Sequence, residues 1–284
     1  MGSLRRAGAR LIALAAVAML AACGTPAERF ERRASVLGFN SILLRGDGFD
    51  HRSYAVQAEK AGTTLHVYIE HDGTPWARVD SVSEDPTPRT AYALELMAKD
   101  SGPRLLLGRP CYFQEKTNPR CSPLAWTHER YSLEVVASMV AALRRYLSAH
   151  PFRHVVLVGY SGGGTLAWLM AARVPETTGL VTIAANLDID QWARLHNYSA
   201  LVGSLNPATA PALSPSVAER HYVGGRDVNV PPSVVRSFAR RHPGASVIEI
   251  ADFDHTCCWI EHWPRLLAGP DSAATSVTLI GATR

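Results

Sequence analysis

Between positions 40 and 268, short apolar runs alternate with segments of helical periodicity, and that alternation leaves few folds open. Residues 155–158 (Val-Val-Leu-Val) present no polar face, and 180–184 repeats the pattern. A strand with one face in water alternates polar and apolar residues, whereas a strand apolar throughout is covered on both sides. Such strands, separated by helices, require a mostly parallel central sheet with helices on both faces, an α/β fold. Further strands are predicted at 41–45, 65–70, 104–108, 221–223 and 246–250. Helices are predicted at 88–99, 131–150, after 161, at 231–241 and at 259–267. In the longest, Leu133, Val136, Val140, Leu143 and Leu147 fall on one face. With 47% hydrophobic and 19% charged residues in 284, the chain can bury a large core and lacks the composition of a disordered segment. One domain is expected over 37–284. Residues 185–217 break the alternation; they are rich in Asn, Ser, Pro and Ala and are expected to form a short insertion, too polar for an apolar lid.

The first 22 residues read as an export signal. Arg5, Arg6 and Arg10 precede an apolar run over 11–22, about a dozen residues and too short to cross a ~30 Å hydrocarbon core. Three of the 29 basic residues and none of the 25 acidic ones lie in this leader, so the remainder is close to neutral. It carries no dense Lys/Arg run, and nucleic acid is not an expected partner. The leader ends Leu20-Ala21-Ala22-Cys23, which resembles the bacterial lipobox. That resemblance implies cleavage before Cys23, lipidation of its thiol and a membrane-anchored protein of the cell envelope. Residues 23–36 are expected to form a short tether that includes a polar helix over part of 24–36. Each buried CH₂ of an anchor adds ~0.8 kcal/mol.

Export places the other four cysteines in an oxidising compartment. Cys111 and Cys121, ten apart in a loop, are expected to form a local disulfide contributing about 3 kcal/mol. Cys257 and Cys258 are adjacent. Two free thiols, a bridge between neighbours and cross-pairing with the first pair all stay open, and the two are expected to fix the loop around His255.

The sequence Gly159-Tyr160-Ser161-Gly162-Gly163 follows the strand at 154–158 and precedes a helical run. Strand, Gly-x-Ser-x-Gly and helix make a nucleophile elbow: a sharp turn exposes the serine, and glycines two residues to either side remove colliding side chains. The N-terminus of the following helix favours negative charge there.

With this motif the chain resembles the α/β-hydrolase superfamily, over residues 40–268. The resemblance is nearest to exported bacterial serine hydrolases carrying Gly-Tyr-Ser-Gly-Gly-Gly (159–164), Gly-Gly-Arg-Asp (224–227) and Asp-His-Thr-Cys-Cys-Trp (254–259). It implies a catalytic triad in the order serine, acid, histidine, here Ser161, Asp227 and His255. Asp188 and Asp190 are rival acids, and His262 is a rival histidine. Asp254, next to His255 in sequence, would point elsewhere. The oxyanion hole would take one backbone N–H from Gly162 and one from the loop after strand 65–70, either Asp72 or Gly73. A metal-ligand reading of His71 and Asp72 has little to support it, because a triad needs no metal; no cofactor is expected. Trp76, Trp126, Trp192 and Trp259 are candidates to line a pocket. The expected activity is that of a serine esterase acting on a small-molecule ester. Amide hydrolysis or acyl transfer would use the same triad, and a non-catalytic binding module is the rival of another class.

Overall fold

A computed structural model describes residues 24–56, 62–113, 118–269 and 278–279. The expected leader and Cys23 lie outside these residues. The chain begins with helix α1 (Pro26–Val36), continues through strands β1 (Phe39–Arg45), β2 (Asp50–Val56) and β3 (Thr64–Ile69), and makes a hairpin of β4 (Trp76–Arg78) and β5 (Ser81–Val82). Helix α2 (Tyr92–Lys99), β6 (Arg104–Leu106), α3 (Leu133–Ala149), β7 (His154–Tyr160), α4 (Gly162–Ala171) and β8 (Thr177–Ile183) follow. The remainder is α5 (Ile189–Leu195), β9 (Ala218–Gly224), α6 (Pro232–Ala239), β10 (Ser246–Ile250), α7 (Trp259–Ala268) and β11 (Thr278–Leu279).

The main sheet has the order β1-β2-β6-β3-β7-β8-β9-β10-β11. Pairing is parallel from β6 to β10, and antiparallel for β1–β2, β2–β6 and β10–β11. Alternate strand residues feed two cores, as the two-residue period of a strand requires. Leu65, Val67 and Ile69 of β3 pack with Val155 and Leu157 of β7 against α3, α4 and α6. Tyr68, Val158 and Tyr160 face the other way, towards Phe30 of α1, Leu94 and Met97 of α2, and Trp259 and Trp263 of α7. Every residue of α4 is buried, so this helix has no water-facing side. No helix among the described residues is long and apolar enough to cross a membrane.

Two segments gain detail. The polar helix expected within 23–36 is α1. Thr25 and Glu28 form a capping box that starts α1, and Ala27, Phe30 and Ala34 are buried. The insertion at 185–217 holds α5 and a short 3₁₀ turn, Pro207–Thr209, and Leu187, Ile189, Leu201 and Leu213 tie it into the core.

Candidate active site

Ser161 ends β7 and caps α4 with φ 52° and ψ −125°, a backbone region costly for any residue with a Cβ. Its N–H donates to the Ile183 carbonyl at 2.9 Å, and its carbonyl accepts from Gly164 N–H at 2.9 Å, so the turn is held from both sides. The glycines are steric requirements. A Cβ on Gly163 would collide with the carbonyl oxygens of Ile69 and Glu70, and one on Gly162 with the Asp72 carboxylate and the Tyr131 hydroxyl.

His255 lies on the loop after β10, and its Nδ1 is 2.7 Å from Asp227 Oδ2. The other oxygen, Oδ1, accepts from the N–H groups of Asn229 and Val230, each at 2.8 Å. The acid's orientation is therefore fixed by backbone, and Nδ1–H of the imidazole is the donor to it. The histidine's own carbonyl accepts from the Tyr160 hydroxyl at 2.6 Å, which pins its loop to the residue before Ser161. Ser161 and His255 open onto one cleft of about 960 Å³.

The rivals are engaged elsewhere. Asp188 accepts from Ser237, Asn206 and the backbone of Gln191, and Asp190 from Asn206. Asp254 Oδ1 caps the turn at Thr256 and Cys257. His262 Nδ1 meets the Cys258 carbonyl. Of the tryptophans, Trp76 and Trp192 line the cleft, while Trp126 and Trp259 are buried in the core.

The loop after β3 separates Asp72 from Gly73. The Gly73 N–H donates to His71 Nδ1 at 3.1 Å, and its engagement removes it as a free donor. The N–H groups of Asp72 and Gly162 have no hydrogen-bond partner among the described residues. His71 Nε2–H donates to the Thr90 carbonyl at 2.9 Å, so both ring nitrogens are used, and burial pushes the imidazole pKa down to about 4. This side chain is a neutral strut. Among the described residues no group of three or more His, Cys, Asp or Glu side chains could hold a metal ion.

Sequence reasoning missed what stands behind Asp72. Its Oδ1 accepts from Arg109 at 2.6 Å, and its Oδ2 accepts from Arg130 at 3.0 Å and from Tyr131 at 2.6 Å. Its backbone carbonyl accepts from Tyr112 at 2.8 Å. Burial alone would raise the carboxyl pKa, but Arg109 and Arg130 outweigh it and hold the group ionised, well below the usual carboxylate range. The four partners come from the loops between β6 and α3, and no motif marks them. The Cys111–Cys121 disulfide closes this loop next to Tyr112, as its spacing suggests. The sulfurs of Cys257 and Cys258 lie against each other, which is compatible with a bridge between these neighbours.

The sheet order, with Ser161 at the C-terminal end of β7 and the acid and histidine after β9 and β10, is now complete. A family model described as alpha/beta hydrolase fold matches residues 110–201. An esterase of Pyrococcus furiosus superposes with a TM-score of 0.57 at 12% identity, over 81% of this chain and 88% of that one. The chain has the α/β-hydrolase fold. A membrane phospholipase A that is a bacterial virulence factor superposes with a TM-score of 0.54 at 15% identity, over 93% of this chain and 97% of that one. An acylaminoacyl peptidase of Pyrococcus horikoshii gives 0.55 at 11% identity, over 81% of this chain and 41% of the larger protein. No curated protein matches the chain by sequence. Within the α/β-hydrolase fold, the cleft lies at the C-terminal edge of the parallel strands, where such sheets bind ligands.

Proposed function

We propose that this chain is an exported serine hydrolase of carboxylic esters, anchored to a bacterial membrane through lipidated Cys23. The observation that carries the chemistry is the 2.7 Å contact of His255 Nδ1 with a backbone-fixed Asp227, in the cleft that Ser161 opens onto. The acid holds the tautomer with a proton on Nδ1, which leaves Nε2 as a base. Nε2 takes the Ser161 proton as Oγ attacks the ester carbonyl, and the tetrahedral oxyanion rests on the N–H groups of Gly162 and Asp72. The imidazolium returns the proton to the departing alcohol. Water, activated by the same nitrogen, then releases the acid from Ser161.

The test is incubation with a fluorophosphonate followed by peptide mapping. The expected result is labelling at Ser161 that is lost in His255→Ala; folded protein that takes no label overturns the catalytic reading in favour of a binding module. The anchor is tested separately. Labelled palmitate should enter the exported chain and fail to enter Cys23→Ser, and equal labelling of both would sink the lipid assignment.

A further inference from the structure

The cleft's ionisable lining is unbalanced. Arg78, Arg89 and Arg130 line it, and Asp72 is the one carboxylate among its lining residues. That carboxylate is already shared by two guanidinium groups, those of Arg109 and Arg130. The inner wall therefore keeps an excess positive charge. Arg130 is almost wholly buried, and its pose is fixed: Nε donates to the Thr127 carbonyl at 2.6 Å and Nη1 to Asp72. Its Nη2 has no hydrogen-bond partner among the described residues, although the side chain borders the cleft. Nearer the mouth, Arg89 donates to the Thr87 carbonyl, and neither it nor Arg78 is ion-paired with a described residue. Apolar wall between them comes from Trp76, Trp192 and Leu201.

A fixed guanidinium with an open nitrogen suits an oxyanion, because the charge-assisted bond needs no reorganisation of the donor. A cleft of one charge sign with apolar walls also concentrates ligands of the opposite sign. We propose that this cleft binds amphiphiles carrying an anionic group, a carboxylate or a phosphate, which Arg130 meets on the inner wall and Arg78 and Arg89 draw in from the mouth. As a statement about substrate it rests on the hydrolase reading above; as a statement about binding it does not.

The experiment measures binding by calorimetry to Ser161→Ala, which cannot turn a substrate over, with hexyl phosphate, hexanoate and hexanol as probes. At low salt at least one anion should bind about tenfold or more tightly than hexanol, and raising salt to about 0.5 M should weaken the anions alone. Phosphate ahead of hexanoate would point to a phosphate-bearing lipid, and the reverse order to a carboxylate; both support the proposal. Adding Arg78→Gln and Arg89→Gln should cut the preference for anions about threefold or more. Adding Arg130→Lys, which keeps a charge beside Asp72 but loses the fork, should cut it as well. Equal affinity for hexanol and both anions overturns the proposal, as does a preference that survives both sets of substitutions. If anions are preferred but fluorophosphonate fails to label the wild-type chain, the anion site stands and the hydrolase reading falls.

Discussion

Ser161 sits where its own backbone would rather have glycine. A residue with a Cβ at φ 52°, ψ −125° costs on the order of 1–3 kcal/mol, and nothing in the local hydrogen bonding needs a side chain there. Ser161→Gly should therefore stabilise the fold by about 1 kcal/mol, which for a chain of this size is a rise in Tm of about 2–4 °C. Ser161→Ala keeps the Cβ and should change Tm little. Both should lose turnover. A calorimetric scan that finds the glycine variant no more stable than the alanine variant would remove the strain argument. Asp72 shows the opposite economy: its side chain is committed to three donors so that its backbone can face the cleft.

At the scale of elements, α2 depends on a residue outside itself. Ala91 at its N-cap offers no side-chain acceptor, and Glu70, at the end of β3, accepts from the Leu94 N–H at 3.0 Å instead. Burial outweighs these backbone donors and raises the Glu70 carboxyl pKa from 4.5 to about 8. An acid whose pKa is raised on folding stabilises the fold most where both states are protonated. That contribution is whole below about pH 4.5 and drains as pH climbs to about 8. Glu70→Gln stays uncharged throughout, so its Tm relative to wild type should rise steadily between pH 5 and pH 8.5; a constant difference across that range would contradict the assignment. His71 and His51 act at the other end. Burial lowers both imidazoles to about 4, so stability is lost as pH falls from 6.5 towards that value. Much of the parallel sheet was legible because β7 is apolar over 155–158 and β8 is mostly so over 180–183, and because the elbow announces itself in four glycines around a serine. Strand β2 was not, since His51 and Ser53 are buried yet polar. They are satisfied by the Gly108 carbonyl, by Ser138 and by the Gly108 N–H, partners fixed only once the chain has folded. The same holds for Arg109 and Arg130. Spacing in the sequence says nothing about a carboxylate that waits 37 and 58 residues away.

Taken as a whole, the molecule joins two cores across one sheet, and the cleft is assembled from loops at its edge. The loop carrying Arg109 and Tyr112 is buried against the core, and the Cys111–Cys121 bridge closes it. Cys111→Ser/Cys121→Ser should cost about 3 kcal/mol, read as a shift in the urea midpoint, and should slow fluorophosphonate labelling through a looser Asp72. Unchanged labelling with the full loss of stability would confine the bridge to a structural role. The bridge also gives the chain a sense of place. In a reducing compartment the loop would lack that closure and in an oxidising one it would acquire it, so the firmness of the wall behind the cleft follows the redox state of the chain's surroundings.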